Sequence, residues 1–286
     1  MVPVPYGLAR IVLTVANFNL HAGVDGWGRP FDTIAVCREL GADVISLEES
    51  WTSAEAGAAD EIGQAEQIAA ALGYEAFTCT LAEGRRSRPD PAATDKWMSP
   101  QGLRAGRNAL FFEGERPYSA HVSDSPRFTE AERGSLGIAV LVRRGMTVDD
   151  SRILHLPQLG RDRIRRAAIV VDLTVDHHQI SVIGTHMSHL QFGSHRHYAS
   201  LKKRLRTGEA RLDAVLLGDM NLWGPPVRIF LPQWHRAVKG PTWPAAKPHS
   251  QIDHILVRGA IEIVRGEVGP NSGSDHRPVR AELALR

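Results

Sequence analysis

Apolar residues in this chain come in short runs, and many of those runs end on polar residues of a narrow chemical kind. A β-rich run over 10–15 (Ile11, Val12, Leu13, Val15) gives way to Asn17-Phe18-Asn19. A second, over 43–47, ends in Glu48-Glu49. The run over 180–185 ends at His186, and 213–217 ends in Gly218-Asp219-Met220-Asn221. Runs over 74–80, 136–142, 167–175, 252–257 and 279–285 read as further strands. The last is preceded by Gly273-Ser274-Asp275-His276-Arg277-Pro278. Between these runs the period changes to that of a helix. Residues 32–40 lie between Pro30 and Gly41, which act as start and stop signals. Ile62, Ala65, Ala69 and Leu72 share one helical face, closed by Gly73. Tyr198, Leu201 and Leu205 form another stripe, backed by Lys202, Lys203, Arg204 and Arg206. Over 82–107 the chain turns polar and rich in Pro, Gly and Arg, which predicts a long loop or insertion. No repeat or linker interrupts the pattern, so one α/β domain over 1–286 with mixed sheets is expected.

The polar endings share a geometry. In layered α/β folds the sheet fixes strand-end residues and the following loops expose them, so ligands bind there. Asn19, Glu49, His186 and Asp219 each follow a strand, whereas Asp275-His276 precedes one. An antiparallel strand would bring that pair to the same edge. Asp253 lies inside an apolar run, where an unpaired carboxylate is costly. A histidine cation or a metal-bound group would offset the cost, and His276 is the candidate partner. Aspartate oxygens hold hard cations, and histidine moves protons near neutral pH. Singly, each motif has a plainer reading: Gly-Asp-Met-Asn as an Asx turn, Glu48-Glu49 as an acidic lead-in, His186 as a structural histidine. Their occurrence together, each at a predicted strand end, argues for a shared site.

In that order, six stretches resemble the endonuclease/exonuclease/phosphatase superfamily, which includes the DNase I-like nucleases. They are Asn19-Leu20-His21, 43–49, Gly184-Thr185-His186, Gly218-Asp219-Met220-Asn221, Ile252-Asp253-His254-Ile255 and Ser274-Asp275-His276-Arg277-Pro278. The resemblance implies a four-layer α/β/β/α sandwich: two packed mixed β-sheets with helices outside and a site at one edge. It implies Mg2+-dependent phosphoester hydrolysis, with Mn2+ as a substitute, because attack on a phosphorus shielded by anionic oxygens needs a cation, an oriented water and charge stabilisation. By motif match, Glu49 is the principal metal ligand, with Asn19 and Asp275 nearby, and Asp219 and Asn221 able to serve a second metal position. Water activation falls either to Asp219, supported by Asn221, or to His276, oriented by Asp253. His186 would donate to a phosphate oxygen. His21 stands where some nuclease branches carry an Asp ligand, and with Arg104 and Arg107 it is assigned to substrate. Glu48 replaces a common Gln and is expected to add negative charge. The signatures of abasic-site endonucleases and of inositol polyphosphate 5-phosphatases are absent, so the resemblance does not identify the substrate. A phosphodiesterase of the endonuclease type is the first reading. Alternatives are a phosphomonoesterase or a sphingomyelinase-like phospholipid hydrolase on the same scaffold, and then an inactive binding protein.

Composition narrows this only a little. The chain has 286 residues, 43% of them hydrophobic and 23% charged, as in soluble globular proteins. A net charge of +2 excludes a polycation of the histone kind. It leaves a phosphoester substrate, nucleic acid included, open as partner. Cys37 and Cys79 are too few for a disulfide scaffold and read as buried thiols. No run approaches the roughly 20 apolar residues of a membrane-spanning helix, and the first residues lack a signal-peptide pattern. A cytoplasmic monomer is therefore expected. Two arginine groups, Arg85, Arg86, Arg88, Arg104 and Arg107 with Trp97, and Arg161, Arg163, Arg165 and Arg166, read equally as phosphate contacts or as solvated surface. His186, His189, His195 and His197 raise zinc as a minor alternative.

Overall fold

A computed structural model of the chain describes residues 11–26, 28–86, 110–112 (backbone only), 132–160, 162 and 164–286. Two mixed sheets carry the fold. The first is ordered β12 (Ile261–Val268), β13 (Val279–Leu285), β1 (Ile11–Asn19), β2 (Val44–Ser53), β5 (Glu132–Arg143), β3 (Tyr74–Arg86), β4 (Leu110–Phe112). The second is ordered β10 (His235–Arg236), β11 (Asp253–Arg258), β9 (Ala214–Asp219), β8 (His178–His186), β7 (Ala167–Val175), β6 (Thr147–His155). Only β1 with β2 and β8 with β9 run parallel; the other pairings are antiparallel.

Period-2 alternation explains how the layers assemble. Leu13 and Val15 of β1, Val44 of β2, Val215 and Leu217 of β9, and Ile255 and Val257 of β11 form one buried cluster between the sheets. The intervening residues face outwards. Ala16, Phe18, Ile45 and Leu47 pack under α1 (Thr33–Leu40) and α2 (Gln64–Leu72). On the far side Ala214, Leu216, Ile183 and Leu256 pack under α3 (His195–Arg206) and α4 (Gly224–Phe230). This is the four-layer α/β/β/α sandwich that the resemblance implied. The helix signals also lie where they were read: Asp32 accepts a hydrogen bond from the Ala35 amide at 2.9 Å, and Gly41 closes α1 in the left-handed conformation. Cys37 and Cys79 are free and buried.

The structure departs from the sequence reading at the edges. Residues 82–86, expected in a loop, continue β3; residues 87–109 lie outside the described set. Strands β6 and β12 carry no clear apolar pattern because each is the outer strand of its sheet and is largely solvent-facing. No helix among the described residues is long and apolar enough to cross a membrane.

The inter-sheet cluster should dominate stability. Leu217→Ala, fully buried and two residues before Asp219, is expected to cost about 2–5 kcal/mol in urea unfolding. Leu212→Ala, at 84% exposure, should change stability by no more than about 0.5 kcal/mol. Equal effects would mean that the slab between the sheets is not the principal core.

Candidate active site

The inward-facing positions turn from apolar to polar at one end of the slab. On β1 the face of Leu13 and Val15 continues to Asn17 and Asn19; on β9 that of Val215 and Leu217 continues to Asp219. Strand register aligns the second sheet's contributions: His186 of β8 pairs with Asp219 of β9, which pairs with Asp253 of β11. Gly218 is required in this register, since a Cβ there would collide with the Thr185 carbonyl oxygen. From the first sheet, Asn19 lies beside Glu48, and the loop before β13 brings Asp275 and His276 across to the same end.

Glu49 reaches the site by a local exception. Strict alternation would turn it towards the helices with Leu47. The β2–β5 register instead shifts between Leu47 and Ser50, and Glu49 takes a left-handed backbone, φ 51°. Such a conformation is uncommon for a residue with a side chain, and a β-bulge is a known way to re-aim one. The redirected carboxylate lies 3.3 Å from Asn19 Nδ2 and 4.0 Å from His186 Nε2.

Around these positions the side chains interlock. His276 Nδ1 sits 3.0 and 3.1 Å from the two Asp253 oxygens, leaving Nε2 at 3.9 Å from Asp219 and 3.8 Å from Asp275. His186 Nε2 lies 3.6 Å from Asp219 Oδ2 and 3.3 Å from Asn221 Nδ2. Because Nε2 faces two carboxylates, the tautomer with its proton on Nε2 is favoured; Asn221 Nδ2 donates to the Met187 carbonyl at 2.9 Å. The Asn221 backbone amide donates to Asp219 Oδ1 at 2.8 Å, and Asn19 Nδ2 lies 3.4 Å from Asp219 Oδ2. Ser274 Oγ donates to the Asn19 carbonyl at 2.7 Å and ties the loop before β13 to the end of β1. Glu49 and Asp275 keep 18% and 24% exposure, and they mark the mouth. His186, Asp219, Asp253 and His276 lie buried behind them.

These surroundings drive the two histidines apart. Burial opposes protonation of His276, but Asp253, Asp275 and Asp219 overcome it and hold its pKa well above 6.5. Burial, reinforced by Arg166 and His276, pushes His186 well below 6.5. Burial also lifts Asp219 to about 7, with Asp253 and Glu49 adding to the shift and His276 opposing it. Asp275 is lowered against the effect of its own burial by His21 and His276.

A divalent cation fits this donor set. Glu49, Asp219, Asp253 and Asp275 converge, and among the described residues their ion pairs are to histidines alone. Asp275 Oδ1 is buried without a hydrogen-bond partner. Asp219, Asp253 and His276 also bring donor atoms within 4.8 Å of one another. That set shares no residue with the Asn19, Glu49 and Asp275 implied by resemblance, although Asp219 was also read as able to serve a second metal position. As placed here, Asn19 Oδ1 accepts from the His21 amide at 2.9 Å, and its NH2 group faces the carboxylates.

Other expectations fare unevenly. His21 lies at the mouth, its Nδ1 3.0 Å from the Val24 carbonyl and 3.8 Å from Asp275. Arg104 and Arg107, with Arg88, Trp97, Arg161 and Arg163, lie outside the described residues. Glu48, expected to add negative charge, sits where a charge is costly. It is fully buried, accepts from Asn17 Nδ2 at 3.1 Å and Ser46 Oγ at 2.9 Å, and burial with the nearby Asp253 and Asp219 raises its pKa well above the usual range. Arg86 and Arg166 are not free phosphate contacts. Arg166 pairs with Asp162 at 3.0 Å, and Arg86 with Glu132 at 2.7 Å and Asp60 at 2.8 Å. Nor do the four histidines of the zinc alternative converge: His197 bonds the Pro157 carbonyl, His189 caps a short 3-10 turn, and His195 is exposed at the start of α3.

Sequence reasoning missed three supports. Trp243 Nε1 donates to Asp275 Oδ2 at 3.2 Å. Arg86 Nη1 and Gln64 Nε2 both donate to the Ala22 carbonyl, at 2.7 and 3.2 Å. They thereby hold a turn whose residues His21, Ala22 and Gly23 all have positive φ. No local signal marks Arg86 or Gln64 for this. Three left-handed residues in succession follow only from the fold.

A family model described as endonuclease/exonuclease/phosphatase matches residues 16–276, which spans every contributor above. The chain belongs to that family. Its members are phosphoester hydrolases, and this chain is an enzyme of that class. No curated protein sequence matches it. Among solved structures, an endonuclease/exonuclease/phosphatase from Beutenbergia cavernae is 22% identical, with 96% of this chain and 72% of that one covered and a TM-score of 0.64. The human Nocturnin catalytic domain with bound sulfate is 13% identical, at 96% and 94% coverage and a TM-score of 0.61. A mannosyl-6-phosphatase from Bacteroides thetaiotaomicron is 15% identical, at 96% and 100% coverage and a TM-score of 0.59. At these identities the likeness is one of fold.

The Asp253–His276 contact has a pH signature in the metal-free protein. His276 binds its proton more tightly folded than unfolded. Its contribution to stability is therefore complete below about pH 6.5 and is lost as pH rises through the raised folded value. In wild type, the His276 imidazole NMR signals should titrate well above 6.5; in Asp253→Asn they should titrate lower, and the pH dependence of urea stability should flatten. An unchanged titration in the variant would remove Asp253 as the cause.

Proposed function

We propose that the chain is a Mg2+-dependent phosphodiesterase in which water attacks phosphorus in line with the leaving oxygen. The observation that carries this is the convergence of the Asp253–His276 pair with Asp219, Glu49 and Asp275 at one end of the slab. Glu49 and Asp275, with Asn19, would hold the cation. When bound, Mg2+ or Mn2+ neutralises phosphate oxygens and supplies positive charge for the transition state.

This chain's own residues account for the proton traffic. Asp219 is fixed through Oδ1 by the Asn221 amide, which leaves Oδ2 to take a proton from the attacking water. His276 is fixed through Nδ1 by Asp253, which leaves a protonated Nε2 to supply the leaving oxygen. His186, neutral with its proton on Nε2, would donate a hydrogen bond to a non-bridging oxygen. As the new P–O bond forms and the old one breaks, one proton enters at Asp219 and another departs from His276. His21, at the mouth beside Asp275, would line the substrate's path.

Charge supports a diester over a monoester. A diester brings one negative charge and a monoester brings up to two, into a site where the described residues offer histidines but no arginine or lysine paired to the carboxylates.

Three results would support the proposal. EDTA should abolish hydrolysis of a bis-aryl phosphodiester, with Mg2+ or Mn2+ restoring it, and Glu49→Gln should need far more metal. Asp219→Asn should lose about 10²–10⁴-fold in kcat on every diester. His276→Gln should lose a similar factor on alkyl diesters but much less on aryl diesters, whose leaving groups need no proton. Plasmid nicking and sphingomyelin in the same panel would separate nuclease from phospholipid hydrolysis. Faster turnover of an aryl monoester would overturn the diester reading, and inactivity across the panel would favour a binding protein.

A further inference from the structure

A second surface feature lies outside the buried site. Among exposed large hydrophobic residues, Leu212, Ile229 and Trp223 retain 84%, 76% and 57% exposure. Singly, such residues are ordinary. These belong to one flank. Trp223 stands two residues beyond Asn221, at the N-terminal boundary of α4. Pro225, Ile229 and Arg228 of α4 line one depression with Pro232 and Arg236. Pro232 also lines the adjoining depression, with Trp234, Lys202, Arg206 and Arg258. Arg258 in turn bonds the carbonyl of Leu212 at 3.2 Å.

The charge lining the two depressions has one sign. Neither depression has a carboxylate in its lining, and α3 contains no acidic residue. The nearby Asp213 is engaged by the Ala260 amide at 2.7 Å. Burial lowers the pKa of Arg236, and Arg228 lies close enough to add to that shift. Neither has an ion pair among the described residues; Arg236 donates through Nη2 to the side-chain oxygen of Gln251, and its Nε is buried without a partner. Like charges held together without a counterion favour an anionic occupant.

We propose that this flank docks on an anionic phospholipid surface, with Trp223, Ile229 and Leu212 entering the headgroup region and Lys202, Arg206 and Arg228 facing the lipid phosphates. Single-stranded nucleic acid also meets basic, aromatic surfaces, but it needs rings on which bases stack. Ile229, Leu212 and the two prolines have no π face, whereas aliphatic side chains bordered by Trp and cations suit a membrane interface. The proposal concerns location and does not depend on the hydrolytic reading.

Vesicle flotation with the full chain and EDTA present tests it, so that binding is read without turnover. Wild type should float with phosphatidylcholine vesicles containing phosphatidylserine, and at least several-fold less with phosphatidylcholine alone. Arg228→Ala should weaken binding about fivefold, as expected for one cation near an anionic surface; Ile229→Asp should weaken it more. Ile62→Asp is the control. Ile62 is likewise exposed, at 69%, but precedes α2 on the opposite outer layer, so this variant should float as wild type does. Thermal melts confirm that each variant is folded, and soluble bis-aryl diester turnover by Ile229→Asp should match wild type. Absence of phosphatidylserine-dependent flotation overturns the proposal. So does flotation unaffected by both flank variants, or binding of oligo-dT without binding of vesicles.

Discussion

Four carboxylates held together at the end of an apolar slab are the constraint on which the rest of this structure depends. Glu49, Asp219, Asp253 and Asp275 repel one another, and burial makes each charge more costly. The histidines among them, above all His276 against Asp253, offset only part of that repulsion. The carboxylates stay because the backbone fixes them: Asp219 and Asp253 are opposed in one ladder with His186 alongside, and the facing sheet brings Asn19 and Glu49. Further along the same strands, Val215, Leu217, Ile255 and Val257 bury apolar surface between the sheets. The stabilisation from that burial offsets the electrostatic cost at the strand ends.

Two devices let the sheets deliver more than alternation alone would allow. The bulge in β2 returns Glu49 to the face from which period 2 would exclude it. The left-handed turn at His21–Gly23 then folds the chain back over the mouth, held through the Ala22 carbonyl by Arg86 and Gln64. Such conformations cost on the order of 1–3 kcal/mol each and persist where their surroundings leave no alternative. Arg86 supplies that insistence here, because its guanidinium is itself locked by Glu132 and Asp60.

What was legible in the sequence follows from this division. Strands buried on both faces announced themselves as apolar runs, and β7 and β13 begin and end where the pattern says. The strand-end residues were visible because a polar residue at the end of such a run is conspicuous. Edge strands β6 and β12 were not, since a half-solvated strand has no apolar run to read. The orientation of Glu49 was hidden because a bulge changes which face a residue meets without altering composition. The role of Arg86 was hidden because a buried, paired guanidinium and a solvated one are the same letter. The burial of Glu48 was hidden for a related reason. Residue type shows a carboxyl but not its burial, which with Asp253 and Asp219 raises its pKa while hydrogen bonds from Asn17 and Ser46 oppose that shift.

The same environment that strains the site gives its two histidines different properties. His276 lies against Asp253 and near two further carboxylates, which favour its protonated form; His186 lies between Asp219 and Asn221, where burial, reinforced by Arg166 and His276, disfavours that form. Identical side chains are separated by what surrounds them, as in other sites that run acid and base chemistry together. A cation entering beside Glu49 and Asp275 would reduce the repulsion among the carboxylates and weaken their hold on the His276 proton. Were a cation held there, Asp275 would link it to the His276 proton, since its Oδ1 lies 3.8 Å from His276 Nε2 and has no hydrogen-bond partner.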